Sequence, residues 1–214
     1  MLFKDYTVDY FLEELSSDAP SPGGGSTAAL VAALAGSLNS MVYSLTVGKK
    51  AFENLDKENQ NKMIKLKEET SKFIKVSQEF MEEDRRDFLV LMDCYKLSKN
   101  TEEEIALRKK NINKCTIKAM ETPLRLAKAC LDFYNNIDFA VEFGNKNLVS
   151  DAGVAASLLH SAIESAAINV KVNLSFVKSE YNYKEVEDTL ESILSKSNSL
   201  KNELLEKVNK IIYK

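Results

Sequence analysis

Residues 20–48 read PSPGGGSTAALVAALAGSLNSMVYSLTVG, and the fold turns on whether this stretch is a linker, a membrane span or a core helix. Its opening, Pro20 to Ser26, holds two of the chain's three prolines and three of its seven glycines. No charged residue occurs from Ala19 to Gly48, which is long enough to cross a bilayer. The Pro-Gly loop and the many Ser, Thr, Asn and Ala residues keep its hydrophobicity modest, so it reads as a buried helix of a soluble protein. Ser26 or Thr27 is placed to cap that helix, which reaches Val47 and ends at Gly48. Ala28, Ala32, Gly36, Ser40 and Ser44 recur every four residues and form a face that another backbone can approach closely. The opposite side carries Leu34, Leu38, Met41, Val42 and Leu45. A helix with packing residues all round is buried on all sides: it is a central core helix, or one that also meets a second subunit.

Outward from this stretch, nearly every segment reads as helix. Thr7 caps a short first helix running to about Leu15. From about Lys57 to Leu97, an inward seam of Met63, Leu66, Thr70, Phe73, Ser77, Phe80, Asp84, Asp87 or Phe88, and Leu91 alternates spacings of three and four. Asp84 stands where an apolar residue is expected. An unpaired buried carboxylate is costly, so Asp84 is paired, hydrated or lining a cavity, or the seam has run out to solvent. Thr101 and Glu104 form a capping box opening a helix to about Glu121. Thr122-Pro123 then restarts helix, with Pro at its first position, as far as about Asn135. A loop follows at Phe143–Asp151, where Ser150 caps a helix reaching about Ser179. The last helix spans about Lys184 to Ile212. No period-two run is long enough for a strand. The expected class is all-α, a single domain over residues 1–214 built from six or seven helices.

Composition narrows the function classes. A net charge of −3 gives no basic surface for nucleic acid. The N-terminus has no hydrophobic leader pattern. The cysteines Cys94, Cys115 and Cys130 share no CxxC spacing and read as reduced, cytoplasmic thiols packed as small apolar groups. His160 is the sole histidine. It excludes a His-rich metal site and reads as a core or interface residue.

The glycine loop does not match known phosphate cradles. The P-loop lysine is missing, and so are the strand and spacing of a Rossmann fingerprint. With only about twenty residues before it, a linker role is weak. What remains is a tight turn delivering the N-terminus of a buried helix, whose free N–H groups suit a polar ligand atom. The same turn also serves with no ligand. In the second loop, Asn145, Asn147 and Asp151 suit the donor-acceptor edge of a heterocycle, and equally suit turn and cap chemistry. Asn169 and Asn173, one turn apart, are core amides or ligand contacts. Lys96 and Lys99 are solvated charges or binders of an acidic group.

Three stretches, PSPGGGSTAALVAALAGSLNSMV, DRRDFLVLMDCYKLSK and FGNKNLVSDAGVAASLLHSAIESAAINVKVNL, together resemble the cyclodeaminase/cyclohydrolase family. That family includes the C-terminal domain of formiminotransferase-cyclodeaminase and stand-alone methenyltetrahydrofolate cyclohydrolases. Two positions depart from its pattern: Asp87 stands where a small residue is usual, and Ser98 where a proline is usual. The resemblance implies a helical homodimer binding a tetrahydrofolate derivative as substrate, without metal or redox cofactor. It implies Asp84 as base or cation stabiliser, with Lys96 and Asp151 as further catalytic groups. Substrate-binding positions by the same resemblance are Pro22, Gly23, Gly24, Gly25, Ser26, Lys99, Gly144, Asn145, Asn147, Ser150 and Asn169. No transferase segment lies in these 214 residues, so the reading leans to the cyclohydrolase, which turns 5,10-methenyltetrahydrofolate into 10-formyltetrahydrofolate. The alternatives are 5-formiminotetrahydrofolate cyclodeaminase, which releases ammonia, and a non-catalytic helical dimerisation protein.

Overall fold

The periodic segments of the sequence become long helices in the computed structural model, which describes residues 1–177 and 182–214. They are α1 (Val8–Ser16), α2 (Gly24–Ser44), the single-turn α3 (Lys50–Glu53), α4 (Lys57–Tyr95), α5 (Glu102–Phe143), α6 (Val149–Phe176) and α7 (Tyr183–Ile212). Short 3-10 turns at Phe3–Asp5 and Lys146–Leu148 complete the set, and no strand occurs among the described residues. Helices α2, α4, α5 and α6 contact one another in a closed ring, and α7 lies over α5 and α6. This is the expected all-α bundle. The expected end of the sixth helix at Ser179 lies outside the described residues.

The starts follow from local chemistry. The Thr7 side chain accepts from the Tyr10 N–H at 3.1 Å, and Asp56 accepts from Asn59 at 2.8 Å. Thr101 and Glu104 complete the capping box. Each bond satisfies a donor that a helix start leaves unpaired. The α4 seam is buried as its spacing predicts: Met63, Thr70, Phe73, Ser77, Phe80, Asp87 and Leu91 all face inward.

Helix α2 is long and apolar enough to cross a membrane by length and composition, but its small face is packed inside the ring. Ala28, Ala29, Ala32 and Ala35 are fully buried. At Gly36 a Cβ would come within 2.9 Å of Phe73 and Ile74, so glycine lets α4 approach this closely. A polar cluster sets the register of three helices. Asn39 of α2 donates to Asn136 Oδ1 at 2.8 Å, Thr70 of α4 donates to the same oxygen at 3.0 Å, and Asn136 of α5 donates to Leu66 O at 3.1 Å. His160 is a packing residue, with Nδ1 2.8 Å from Ser197 Oγ, tying α6 to α7.

Four local expectations fail. Gly23 is the N-cap of α2, so neither Ser26 nor Thr27 is. Helix α2 stops at Ser44, and Gly48 (φ +72°) lies in the turn beyond it. Leu148, not Ser150, precedes α6. Helix α5 runs unbroken through Pro123. Proline there removes the N–H that would bond Ala119 O, and the Asn173 amide of α6 stands in for it at 3.4 Å.

Candidate active site

The N-terminus of α2 meets α4, α5 and α6 around a cleft of about 170 Å³. Its walls are the Pro20–Gly25 loop, Asp84 and Phe88 of α4, Ala119 of α5, and Asn169 and Asn173 of α6. The peptide bond between Ser21 and Pro22 is cis. Pro22 is buried beneath the loop, whereas Gly23, Gly24 and Gly25 line the cleft.

Asp84 is the charged group of this cleft. Burial pushes its carboxyl above the usual carboxylate range, and the neighbouring charge of Asp87 adds to the rise. The Ser26 side chain and backbone N–H oppose that shift by hydrogen bonding to the charged form. Ser26 is fully buried, and its hydroxyl lies 2.8 Å from Asp84 Oδ2 and 3.1 Å from Met81 O. This explains why Ser26 is not the cap: its side chain serves a carboxylate 58 positions along the chain. Gly25 is obligatory for the same geometry. A Cβ there would fall 1.9 Å from Asp84 Oδ1.

Asp87, one of the two residues offered for the next seam position, is buried there but does not line the cleft; Phe88 does. Asp87 is 3% exposed, accepts from the Thr122 hydroxyl at 2.9 Å and pairs with Lys118 at 3.2 Å. It braces α4 against α5 beside the cleft wall.

Other expected site residues stand elsewhere within one chain. Lys96 is exposed and paired with Asp93 at 2.8 Å, and Lys99 is exposed in the following turn. Twelve helical positions separate Lys96 from Asp84, about 18 Å. The second loop packs at the far end of α2. Gly144 fits against Val42 and Ala140, and the Asn145 N–H donates to Thr46 Oγ1 at 2.9 Å. The Asn145 side chain accepts from the Asn147 N–H at 3.1 Å, closing the turn. Ser150 and Asp151 lie in the first turn of α6, about 27 Å along it from Asn169. The residues of the two loops, both assigned to substrate binding by the resemblance, do not meet within one chain, because the loops sit at opposite ends of the 21-residue α2. Pro20, Ser21, Phe88 and Ala119 are cleft residues that the sequence did not assign, whereas Asn173, left open between core amide and ligand contact, stands in the cleft beside Asn169.

Fold and cleft together define a class: a helical bundle presenting a half-buried carboxylate and carboxamides to a small polar cleft at a helix N-terminus. The family model for formiminotransferase-cyclodeaminase matches residues 7–192, and the chain belongs to that family. It is 32% identical over 202 residues to the methenyltetrahydrofolate cyclohydrolase of Methylorubrum extorquens, covering 94% of this chain and 95% of that one. It is 28% identical over 193 residues to the formimidoyltransferase-cyclodeaminase of Rattus norvegicus, of which it spans 35%, against 90% of its own length. A solved structure of formiminotetrahydrofolate cyclodeaminase from Thermotoga maritima superposes with a TM-score of 0.84 at 23% identity, covering 98% of both chains. The fold and the reading of the chain as an enzyme are borne out; the dimerisation scaffold without chemistry is set aside.

Proposed function

We propose that the protein is a 5,10-methenyltetrahydrofolate cyclohydrolase. The full-length match to a cyclohydrolase supports this choice. The observation that carries the chemistry is Asp84, a carboxylate of raised proton affinity set in the cleft against the first turn of α2, where it accepts from Ser26. The methenyl carbon is bonded to N5 and N10 and shares one positive charge with them. Water adds to that carbon, forming the C–O bond, and Asp84 takes the water proton. The C–N5 bond then breaks as N5 receives a proton from Asp84 and the carbinol oxygen loses its own to solvent. The product is 10-formyltetrahydrofolate plus one proton. Until water adds, the Asp84 charge also stabilises the cation. No electrons are transferred and the carbon is already electrophilic, so the reaction asks for neither a redox cofactor nor a Lewis acid.

The second reading, a 5-formiminotetrahydrofolate cyclodeaminase, is favoured by the rat and Thermotoga relatives. The same carboxylate would then return a proton to departing ammonia.

The working unit in this proposal is a cytoplasmic homodimer. A cleft of about 170 Å³ is smaller than the ~300 Å³ or more of ordinary ligand pockets, so one chain grips only part of a folate. The outer face of α2 carries Val31, Leu34, Leu38, Met41 and Leu45 with no charge among them, and Leu34 remains 49% exposed. Two copies related by a two-fold axis, with their α2 helices antiparallel, cover this face. They also set the Gly144–Asp151 loop of each copy toward the cleft of the other. Free thiols at all three cysteines suit the cytoplasm.

The test is the near-ultraviolet methenyl absorbance of 5,10-methenyltetrahydrofolate at neutral pH, with and without protein. Accelerated loss, abolished in Asp84→Asn, is expected. A rate equal to the spontaneous one refutes the proposal. Appearance of the signal from 5-formiminotetrahydrofolate, with ammonia, selects the second reading.

A further inference from the structure

Pro123 leaves Ala119 O without its helical donor, and Asn173 fills that gap. Its Nδ2 lies 3.4 Å from Ala119 O and 3.0 Å from Asn169 O. Both neighbours are carbonyl acceptors, so the amide nitrogen must face them and Oδ1 must face away. Asn169 is tied in the same manner, its Nδ2 donating to Ser165 O at 2.9 Å. Neither Oδ1 accepts a hydrogen bond among the described residues, and neither is sealed from solvent. Both side chains line the cleft beside Asp84.

The α6 wall of the cleft is thus a pair of acceptors one turn apart, next to a carboxylate. The start of α2 packs beside both, with Gly24 next to Asn169 and the Ser26 N–H taken by Asp84. A ligand in this cleft therefore meets the α6 acceptors and Asp84 with N–H donors.

We propose that Asn173 is a specificity-determining residue of this cleft: its Oδ1, aimed by the gap that Pro123 leaves in α5, accepts an N–H of the ligand's ring system. The inference rests on the cleft being the folate site. A reduced pterin presents such N–H groups on its ring and its exocyclic amine. Pro123, although away from the ligand, contributes by leaving a second carbonyl, Ala119 O at 3.4 Å, that holds the amide as Asn169 O does at 3.0 Å.

The experiment compares wild type, Asn173→Ala and the double variant Pro123→Ala/Asn173→Ala in tetrahydrofolate titrations by anaerobic calorimetry, with Tm recorded for each. Asn173→Ala removes both the ligand contact and the donor to Ala119 O, so Tm falls and Kd rises about tenfold, the size of one lost hydrogen bond. In the double variant residue 123 regains its N–H and the helix bonds Ala119 O itself. Its Tm recovers while Kd stays about tenfold raised. If the double variant binds within twofold of wild type, Asn173 serves only α5 and the inference is overturned. If wild type fails to bind tetrahydrofolate, the folate reading and this inference fall together. Should Asn173→Ala not fold, the double variant alone decides.

Discussion

Gly25→Ala adds one methyl group to the tightest point of the cleft. That Cβ would stand 1.9 Å from Asp84 Oδ1, 2.4 Å from Cγ and 2.8 Å from Oδ2. Gly25 is in the first turn of α2, held by its helix, so the carboxylate is what moves. It must retreat by about 1.5 Å to restore an ordinary carbon–oxygen contact, which carries Oδ2 beyond hydrogen-bond reach of Ser26. Loss of a hydrogen bond to a charged acceptor costs about 1.5–3 kcal/mol. Solvation of the displaced carboxylate in the open cleft returns part of that. The net cost is about 2 kcal/mol, or a Tm lower by about 4–8 °C for a chain of this size. The effect on rate is larger. Moving a reacting group by more than about 1 Å costs on the order of 100-fold. The assay is the loss of methenyl absorbance, with Tm measured in parallel. Gly23→Ala, whose Cβ would meet nothing within 4 Å and whose backbone is extended, is the control for stability alone: it should keep wild-type Tm. A Gly25→Ala protein retaining kcat/KM within threefold of wild type would refute the placement of Asp84 at the reacting carbon.

Asp84→Asn should abolish turnover without lowering Tm at neutral pH. Burial raises the folded carboxyl above its unfolded value, so the folded state holds the proton more tightly and the charged form costs stability as pH rises through the folded pKa. The Tm advantage of Asn should shrink as pH falls toward the unfolded carboxylate range; an advantage that grows on acidification would refute the sign. Ser26→Ala removes a bond that favours charged Asp84, so the acid limb of its kcat/KM profile should move to higher pH; an unmoved limb removes Asp84 as the base. Leu34→Glu places a charge on the outward apolar face of α2 and should yield monomers by sedimentation equilibrium. A wild-type monomer, or a dimer undisturbed by the change, argues against that interface. Cys94 and Cys115 hold their sulfurs 3.0 Å apart across α4 and α5. Diamide, by accepting two electrons and two protons, should join them while buried Cys130 stays a thiol, as peptide mapping under non-reducing conditions would show.

The parts of the fold that were legible share one property: their cause lies within a few residues. The Thr7 cap, the Thr101–Glu104 capping box and the α4 seam are read from spacings of three and four, and all three stand in the structure. The misread parts depend on a partner far along the chain. Ser26 has the identity of a cap, but its hydroxyl is taken by Asp84. Pro123 has the identity of a helix start, but Asn173, fifty positions later, supplies the donor that lets α5 continue. Local pattern carries no record of such partners. The cleft shows the same division. Asp84 was legible because a carboxylate broke an apolar seam, and the one-turn spacing of Asn169 and Asn173 pointed to that pair, whereas Phe88 and Ala119 became their neighbours only through packing of three helices.

The geometry of α2 links these points to assembly. Its first turn must be glycine-rich to admit Asp84, and its inward face must be small to admit α4 and α6. Those demands leave the large apolar residues for the outward face, which one chain does not cover. They also place the helix start, with its unpaired N–H groups, about 30 Å from the Gly144–Asp151 loop. No small adjustment within a chain closes that distance. In the homodimer that we propose, an antiparallel pairing of two α2 helices closes it twice and buries both apolar faces in the same step, so that the two glycine-bearing loops form one site across two chains. That pairing predicts that any change which separates the chains disables the cleft even where every residue lining it is intact.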